Sequence, residues 1–142
     1  MKIYKMEYLQ IYFKGQEHQD GSHISPYSLL NQPTVRYNFH PKKLYTLIMI
    51  DRDAPYENNP YDKYFLHWMI VNSRDVAAPY LPPAPPKENG THRYYLLLFE
   101  QVGEIKSPYF LKRTCFHPVE FIFKNNLILK ASFHFTSHYE SI

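Results

Sequence analysis

The sequence predicts a mainly β protein, a sandwich formed as a single domain over residues 1–142. Three observations carry that reading. The chain holds 14 Tyr and 10 Phe, side chains that suit a pleated, half-buried surface. Its 12 prolines against 4 glycines speak for stiff loops and against long helices. Three continuous apolar runs, too short for most helices, read as strands covered on both faces, the central strands of a sandwich. An aromatic content of 18% is too high for a chain that cannot fold. No stretch reaches the roughly 18 consecutive apolar residues of a membrane span, so no transmembrane segment is expected.

The elements follow in order. Tyr8, Gln10 and Tyr12 alternate with Leu9, Ile11 and Phe13, a period-two strand ending at Gly15. Residues 16–32 are polar and read as a loop with room for one short strand. Thr34 to Phe39 alternates again, with Pro33 at its start and Pro41 at its end. Leu44 to Ile50 is the first apolar run, stopped by Asp51-Arg52-Asp53-Ala54-Pro55; a long polar loop follows to residue 63. Phe65 to Val71 is the second, broken only by His67. Residues 79–91 contain Pro79, Pro82, Pro83, Pro85 and Pro86, a stiff, donor-poor loop. Tyr94 to Val102 is the third run. Pro118 and Glu120 suit the first turn of a helix reaching Asn125, and Ala131 to Thr136 alternates as a last strand.

Charge and cysteine content narrow the function classes. The net charge is +3, and the basic residues are scattered, with only Lys42-Lys43 and Lys112-Arg113 adjacent among the larger set. A nucleic-acid partner is therefore not expected. Cys115 is the sole cysteine, so no internal disulfide and no multi-cysteine zinc site can form. With no continuous apolar segment in Met1 to Phe13 to suggest a secretory signal, the expected location is the cytoplasm. Ser73 and Ser107 lie in no nucleophile elbow, and the glycine positions exclude a P-loop and a dinucleotide fingerprint. Asn89-Gly90-Thr91 fits the glycosylation sequon and reads as a turn.

One coincidence points to chemistry. Asp51 and Asp53 follow the first run, His67 lies inside the second, and His92, Arg93 and Tyr94 open the third. If these strands are neighbours, a carboxylate, two imidazoles and a phenol meet beside the proline-rich loop. Three readings stay open. Two imidazoles and a phenol can donate to a phosphate, with Asp51 orienting one ring. Two histidines and a carboxylate can also hold a metal, although the tight helical histidine pair is absent. Or the same groups satisfy buried backbone and cap turns, with no ligand.

The motifs resemble those of the phosphatidylethanolamine-binding proteins, also described as Raf kinase inhibitor proteins. The resemblance runs through Leu44–Pro55 with its Asp51-Arg52-Asp53-Ala54-Pro55, through His67-Trp68-Met69-Ile70-Val71-Asn72, and through Pro85 to Tyr94 with its Gly90-Thr91-His92-Arg93-Tyr94. Asn125-Asn126-Leu127 and Ala131-Ser132-Phe133 are similar to the family's weaker tail. The resemblance covers nearly the whole chain. It implies an antiparallel Greek-key sandwich with a few short peripheral helices. It also implies a small pocket for phosphate or the head group of phosphatidylethanolamine. Asp51, His67, Ala84, Pro85, His92 and Tyr94 would line that pocket; Asp53, Pro55, Trp68 and Arg93 would shape it, Arg93 pairing with Asp53. No catalytic residue, cofactor or metal is implied. The family's roles are regulatory, so a kinase or a protease is the expected kind of protein partner. The alternative is a structural or assembly protein that keeps the fold without the ligand. Arg52 stands in place of the family's proline, adding charge at the rim, and Ala84 in place of a frequent glycine, narrowing backbone access. The family's C-terminal helix, found in many animal members, has no counterpart before Ile142, which is expected to leave the pocket more open.

Overall fold

A computed structural model describes residues 7–106 and 112–141. Ser107 and the first six residues lie outside the described residues. Alternation sends Leu9, Ile11 and Phe13 to one buried face, and strand β1 (Gln10–Phe13) forms there. Lys14 and Gly15, both at positive φ (51° and 76°), turn the chain back into β2 (Gln16–His18). Positive φ at both central positions is what a tight hairpin needs to match strand twist. β3 (Thr34–Arg36) pairs with the other side of β1, completing a three-stranded sheet. This strand stops three residues before the expected Phe39. A tight turn explains the difference: the Phe39 amide donates to the Tyr37 carbonyl at 2.9 Å, taking both residues out of the ladder. The intervening loop contains a 3-10 turn, Pro26–Leu29, capped by the Ser25 hydroxyl, which buries Leu29.

The three apolar runs become β4 (Tyr45–Asp51), β5 (Phe65–Val71) and β7 (His92–Glu100). With β6 (Asp75–Ala78) and β8 (Ile128–Ser137) they build an antiparallel sheet in the order β6-β5-β4-β7-β8. β6 has no sequence signature of its own. It exists because Asn72 and Ser73, at φ 55° and 63°, turn the chain tightly back onto β5. β4, β5 and β6 form a meander, and β7 returns to lie beside β4, which is the Greek key. Its long connection is the proline-rich loop. All seven residues of β4 are buried, as expected for a central strand.

Each face of this sheet is covered differently. Tyr45, Leu47, Met49, Trp68, Tyr94, Leu96, Leu98, Phe133 and Phe135 meet Leu9, Ile11 and Phe13 of the small sheet to form the sandwich core. Ile48, Ile50, Leu66, Met69, Val71 and Phe99 pack on the opposite side against Phe116, Leu127 and the helix residues Phe121 and Ile122. Helix α1 (Pro118–Lys124) has Pro118 and Glu120 in its first turn and ends at Asn125, with Asn126 at φ 51°. At one end of the sheet, Gln101 and Asn72 interlock. Gln101 accepts from Thr46 (2.7 Å) and from the Asn72 amide (2.8 Å), and donates to Asn72 Oδ1 and the Gly103 carbonyl (both 2.9 Å). The functional side chains gather at the other end. Among the described residues no helix is long and apolar enough to cross a membrane.

Candidate functional site

β4, β5 and β7 are neighbours, so the strand ends singled out in the sequence do converge. Asp51 is directly opposite Tyr94 in the β4–β7 register, and His92 lies two residues earlier on the same face of β7. His67 reaches the site by a different device. Met49 pairs with Trp68 and Ile50 with Leu66, so His67 is the extra residue of a β-bulge. Strict alternation would set His67 on the same face as Met69, which packs beneath the helix. The bulge re-aims it, as bulges beside functional sites do. A cavity of about 290 Å³ opens there. Asp51, His67, His92 and Tyr94 form its polar part, and Ala54, Pro55, Phe65, Leu81, Pro82, Ala84, Pro85 and Pro86 its apolar wall.

The polar groups are held from behind. His67 Nδ1 donates to the Leu81 carbonyl at 2.6 Å, and the Leu81 amide returns a hydrogen bond to the His67 carbonyl at 2.9 Å. This double link fixes the ring and ties the proline loop to β5. The ring packs edge-on to Tyr94, with centroids 5.5 Å apart. Burial pushes the His67 pKa below its ordinary value, outweighing the Leu81 carbonyl and the charge of Asp51. His92 Nδ1 donates to Asp51 Oδ2 at 2.6 Å, and its Nε2 donates to Asn89 Oδ1 at 2.7 Å. Burial would lower its pKa too, but the hydrogen bond and charge of Asp51 prevail and raise it. The Tyr94 hydroxyl, buried beside Asp51, is held firmly protonated: burial raises its pKa first, then the carboxylate.

Asp53 and Arg93 lie outside the cavity lining and lock its frame. Arg93 grips Asp53 in a two-pronged pair, Nε to Oδ2 and Nη2 to Oδ1, both at 2.9 Å. Asp53 also accepts the backbone amides of Arg93 (2.7 Å) and Asn58 (2.9 Å). Burial works to raise the Asp53 pKa, and these donors, led by the Arg93 guanidinium, hold it below the usual carboxylate range. Asp51 Oδ1 accepts the Asp53 amide at 2.8 Å, which couples frame and pocket. Trp68 does not line the cavity. Its indole is in the sandwich core, edge-on to Tyr80, whose hydroxyl donates to the Leu29 carbonyl at 2.6 Å. Arg52, expected to charge the rim, instead lays its guanidinium over Tyr95, 5.9 Å from the ring centre, on the face of β7 opposite Tyr94.

Two contributors escape sequence reasoning. Asn89, read only as part of a turn, caps the His92 ring. Arg113, read as one of many scattered cations, donates to the carbonyls of Leu66 (3.1 Å), His67 (2.8 Å) and Pro79 (2.5 Å), and so clamps the bulge to the start of the proline loop. The adjacent apolar run with a single histidine is the one available signal for the bulge, and nothing local marks Arg113 as its partner.

The metal reading loses one of its two imidazoles at this site, because both nitrogens of His92 are already engaged, by Asp51 and Asn89. The model for phosphatidylethanolamine-binding proteins matches residues 14–76 and 72–138. The chain belongs to the phosphatidylethanolamine-binding protein family. A 26 kDa secreted antigen of Toxocara canis is 35% identical over 95 residues, covering 62% of this chain and 36% of the antigen. The chain spans about half the length of the curated relatives it matches. Solved structures show the same fold. A carboxypeptidase Y inhibitor, in complex with its cognate proteinase, superposes with a TM-score of 0.78 at 22% identity, over 95% of this chain and 84% of the inhibitor. A phosphatidylethanolamine-binding protein from Plasmodium vivax gives 0.74 at 20% identity, over 93% of this chain and 85% of that one.

Proposed function

We propose that this family member is a non-enzymatic binding protein whose pocket takes a phosphomonoester, such as the head group of phosphatidylethanolamine. The observation that carries the reading is the enclosure of His67, Tyr94 and the Asp51–His92 pair by a wall that offers almost no competing donors. In the run Pro82-Pro83-Ala84-Pro85-Pro86 only Ala84 has a backbone N–H. A phosphate would draw on that amide, on the Tyr94 hydroxyl and on Nε2 of a protonated His67. Asp51 favours the charged form of the His92 ring and raises its pKa, and that positive charge would offset the carboxylate's repulsion of the anion. For His92 to donate directly, the anion replaces Asn89 at Nε2.

The reading extends to a regulatory role with a kinase or protease as protein partner, supported by the likeness in fold to a protease inhibitor. It places the protein in the cytoplasm on the strength of one exposed free thiol, Cys115; one relative is named as secreted. The test is a titration with phosphorylethanolamine followed through the histidine ring resonances by NMR. The His67 and His92 rings are expected to shift saturably at millimolar ligand, and His67→Ala to abolish the response. Rings that stay still, or a response that His67→Ala leaves intact, would refute the pocket assignment.

A further inference from the structure

A second cluster lies outside this pocket, on the exposed edge where the chain before the 3-10 turn meets the end of β8. His23, His138 and Glu140 each present a ligating atom there, and these atoms all lie within 4.8 Å of one another. We propose that they form a surface site for a divalent transition-metal ion, with Zn²⁺ the best fit.

The ligand set suits the ion. Two imidazoles and one carboxylate, with a position left for water, is a combination that zinc accepts. The set is also built rather than accidental, because His23 and Glu140 are each steered by a side-chain hydroxyl and His138 stacks on His23. The His23 backbone is bridged to Thr136 of β8, flanked by the Ile24 amide to the Thr136 carbonyl (2.8 Å) and the Thr136 amide to the Ser22 carbonyl (3.0 Å). Its Nδ1 is 2.8 Å from the Thr136 hydroxyl, which leaves Nε2 as the free ligand atom. Glu140 Oε2 accepts from the Ser25 hydroxyl at 2.7 Å, and the Glu140 carbonyl accepts from the Tyr27 hydroxyl at 3.1 Å. One carboxylate oxygen stays available. His138 stacks on His23 with ring centres 4.4 Å apart. Hydrogen bonds of the kind that Thr136 makes to His23 and Ser25 to Glu140 fix ring and carboxylate orientation at metal sites.

Bound metal would rivet two segments far apart in sequence, the stretch Ser22–Ser25 and the chain leaving β8. The nearby ion pair of His134 with Asp20 (2.8 Å) is separate and provides a control.

The experiment is calorimetric titration of the chelator-stripped full chain with zinc chloride at neutral pH, read beside a thermal melt. One saturable equivalent is expected, with a melting temperature that rises as zinc is added. His138→Ala and Glu140→Gln should each weaken binding by at least about tenfold, and Ser25→Ala, one step removed, by about tenfold. His134→Ala and His67→Ala should leave it unchanged. All these side chains apart from His67 are exposed or half-exposed, so these variants keep the fold. Absence of saturable zinc, affinity unchanged in both His138→Ala and Glu140→Gln, or loss in His67→Ala with retention in His138→Ala would each overturn the proposal.

Discussion

In the proposed binding mode, His67 is the residue whose protonation decides how the pocket takes an anion. Its Nδ1–H is committed to the Leu81 carbonyl, an acceptor that cannot switch roles. Nε2 can therefore donate to a phosphate only if the ring is a cation. Burial keeps the free ring below its ordinary value of 6.5, and a bound phosphate lifts it. Between those two values, binding takes up a proton, so affinity must fall as pH rises. Phosphate loses its own second proton near pH ~6, which favours binding of the dianion above that point. The clean window thus opens above pH ~7, where affinity for phosphorylethanolamine is expected to drop as pH rises, by at most about tenfold per unit. Calorimetry in two buffers of different ionisation enthalpy should register the proton uptake. Flat affinity with no uptake would remove His67 from contact with the phosphate. Folding stability responds in the opposite sense at the two rings. The depressed His67 pKa costs stability as pH falls below 6.5, whereas the raised His92 pKa adds stability there and loses it as pH rises through the folded value. The two windows lie on opposite sides of 6.5, so these rings make the ligand-free fold most stable near that pH.

At the level of elements, the bulge in β5 and the loop it faces act as one part. A bulge frees backbone carbonyls from the ladder, and Arg113 takes up those of Leu66 and His67 together with Pro79 at the loop's start. Arg113→Met keeps the side-chain stem and leaves three carbonyls without that donor. It is expected to cost about 2 kcal/mol in urea unfolding and to weaken phosphorylethanolamine binding, with Arg113→Lys intermediate. Stability and His67 ring shifts equal to wild type would show that the clamp is idle. The same parts mark how far the sequence could be read. β4, β5 and β7 were legible because a long apolar run has few other solutions, and α1 because Pro118 and Glu120 announce a helix start. The residues around the cavity were legible through their motifs. β6 was not, since Asp75-Val76-Ala77-Ala78 is too short a run to mark a strand and acquires strand character only by pairing with β5. Nor was the end of β3, which a local turn at Tyr37–Phe39 decides against the alternation. Asn89 and Arg113 enter the site from loops, and a loop's position is set by tertiary contacts that no local pattern records.

At the scale of the molecule, the question is whether the two sheets and the helix layer fold as one unit. The two apolar clusters lie on opposite faces of the same strands, β4, β5 and β7, so neither can lose its strands without exposing the other. Phe135 joins the small sheet to the pocket: it meets Phe13 of β1 edge-on at 5.9 Å and stacks on Tyr94 at 5.1 Å. Tyr94 in turn stacks on His92 at 6.3 Å. A break anywhere along this line separates the sandwich and loosens the pocket floor together. The chain is therefore expected to unfold in one step, as small single domains do. The sole tryptophan, Trp68, lies in the sandwich core and reports packing, while far-UV circular dichroism reports the strands. The two should give one superimposable transition in denaturant. Phe135→Ala should lower both midpoints equally, by an equivalent of about 3–5 kcal/mol, and should weaken phosphorylethanolamine binding although Phe135 does not line the cavity. If the tryptophan signal and the strand signal separate, the small sheet is a unit of its own. The pocket floor then depends on the large sheet alone, and Phe135→Ala would shift only the tryptophan transition.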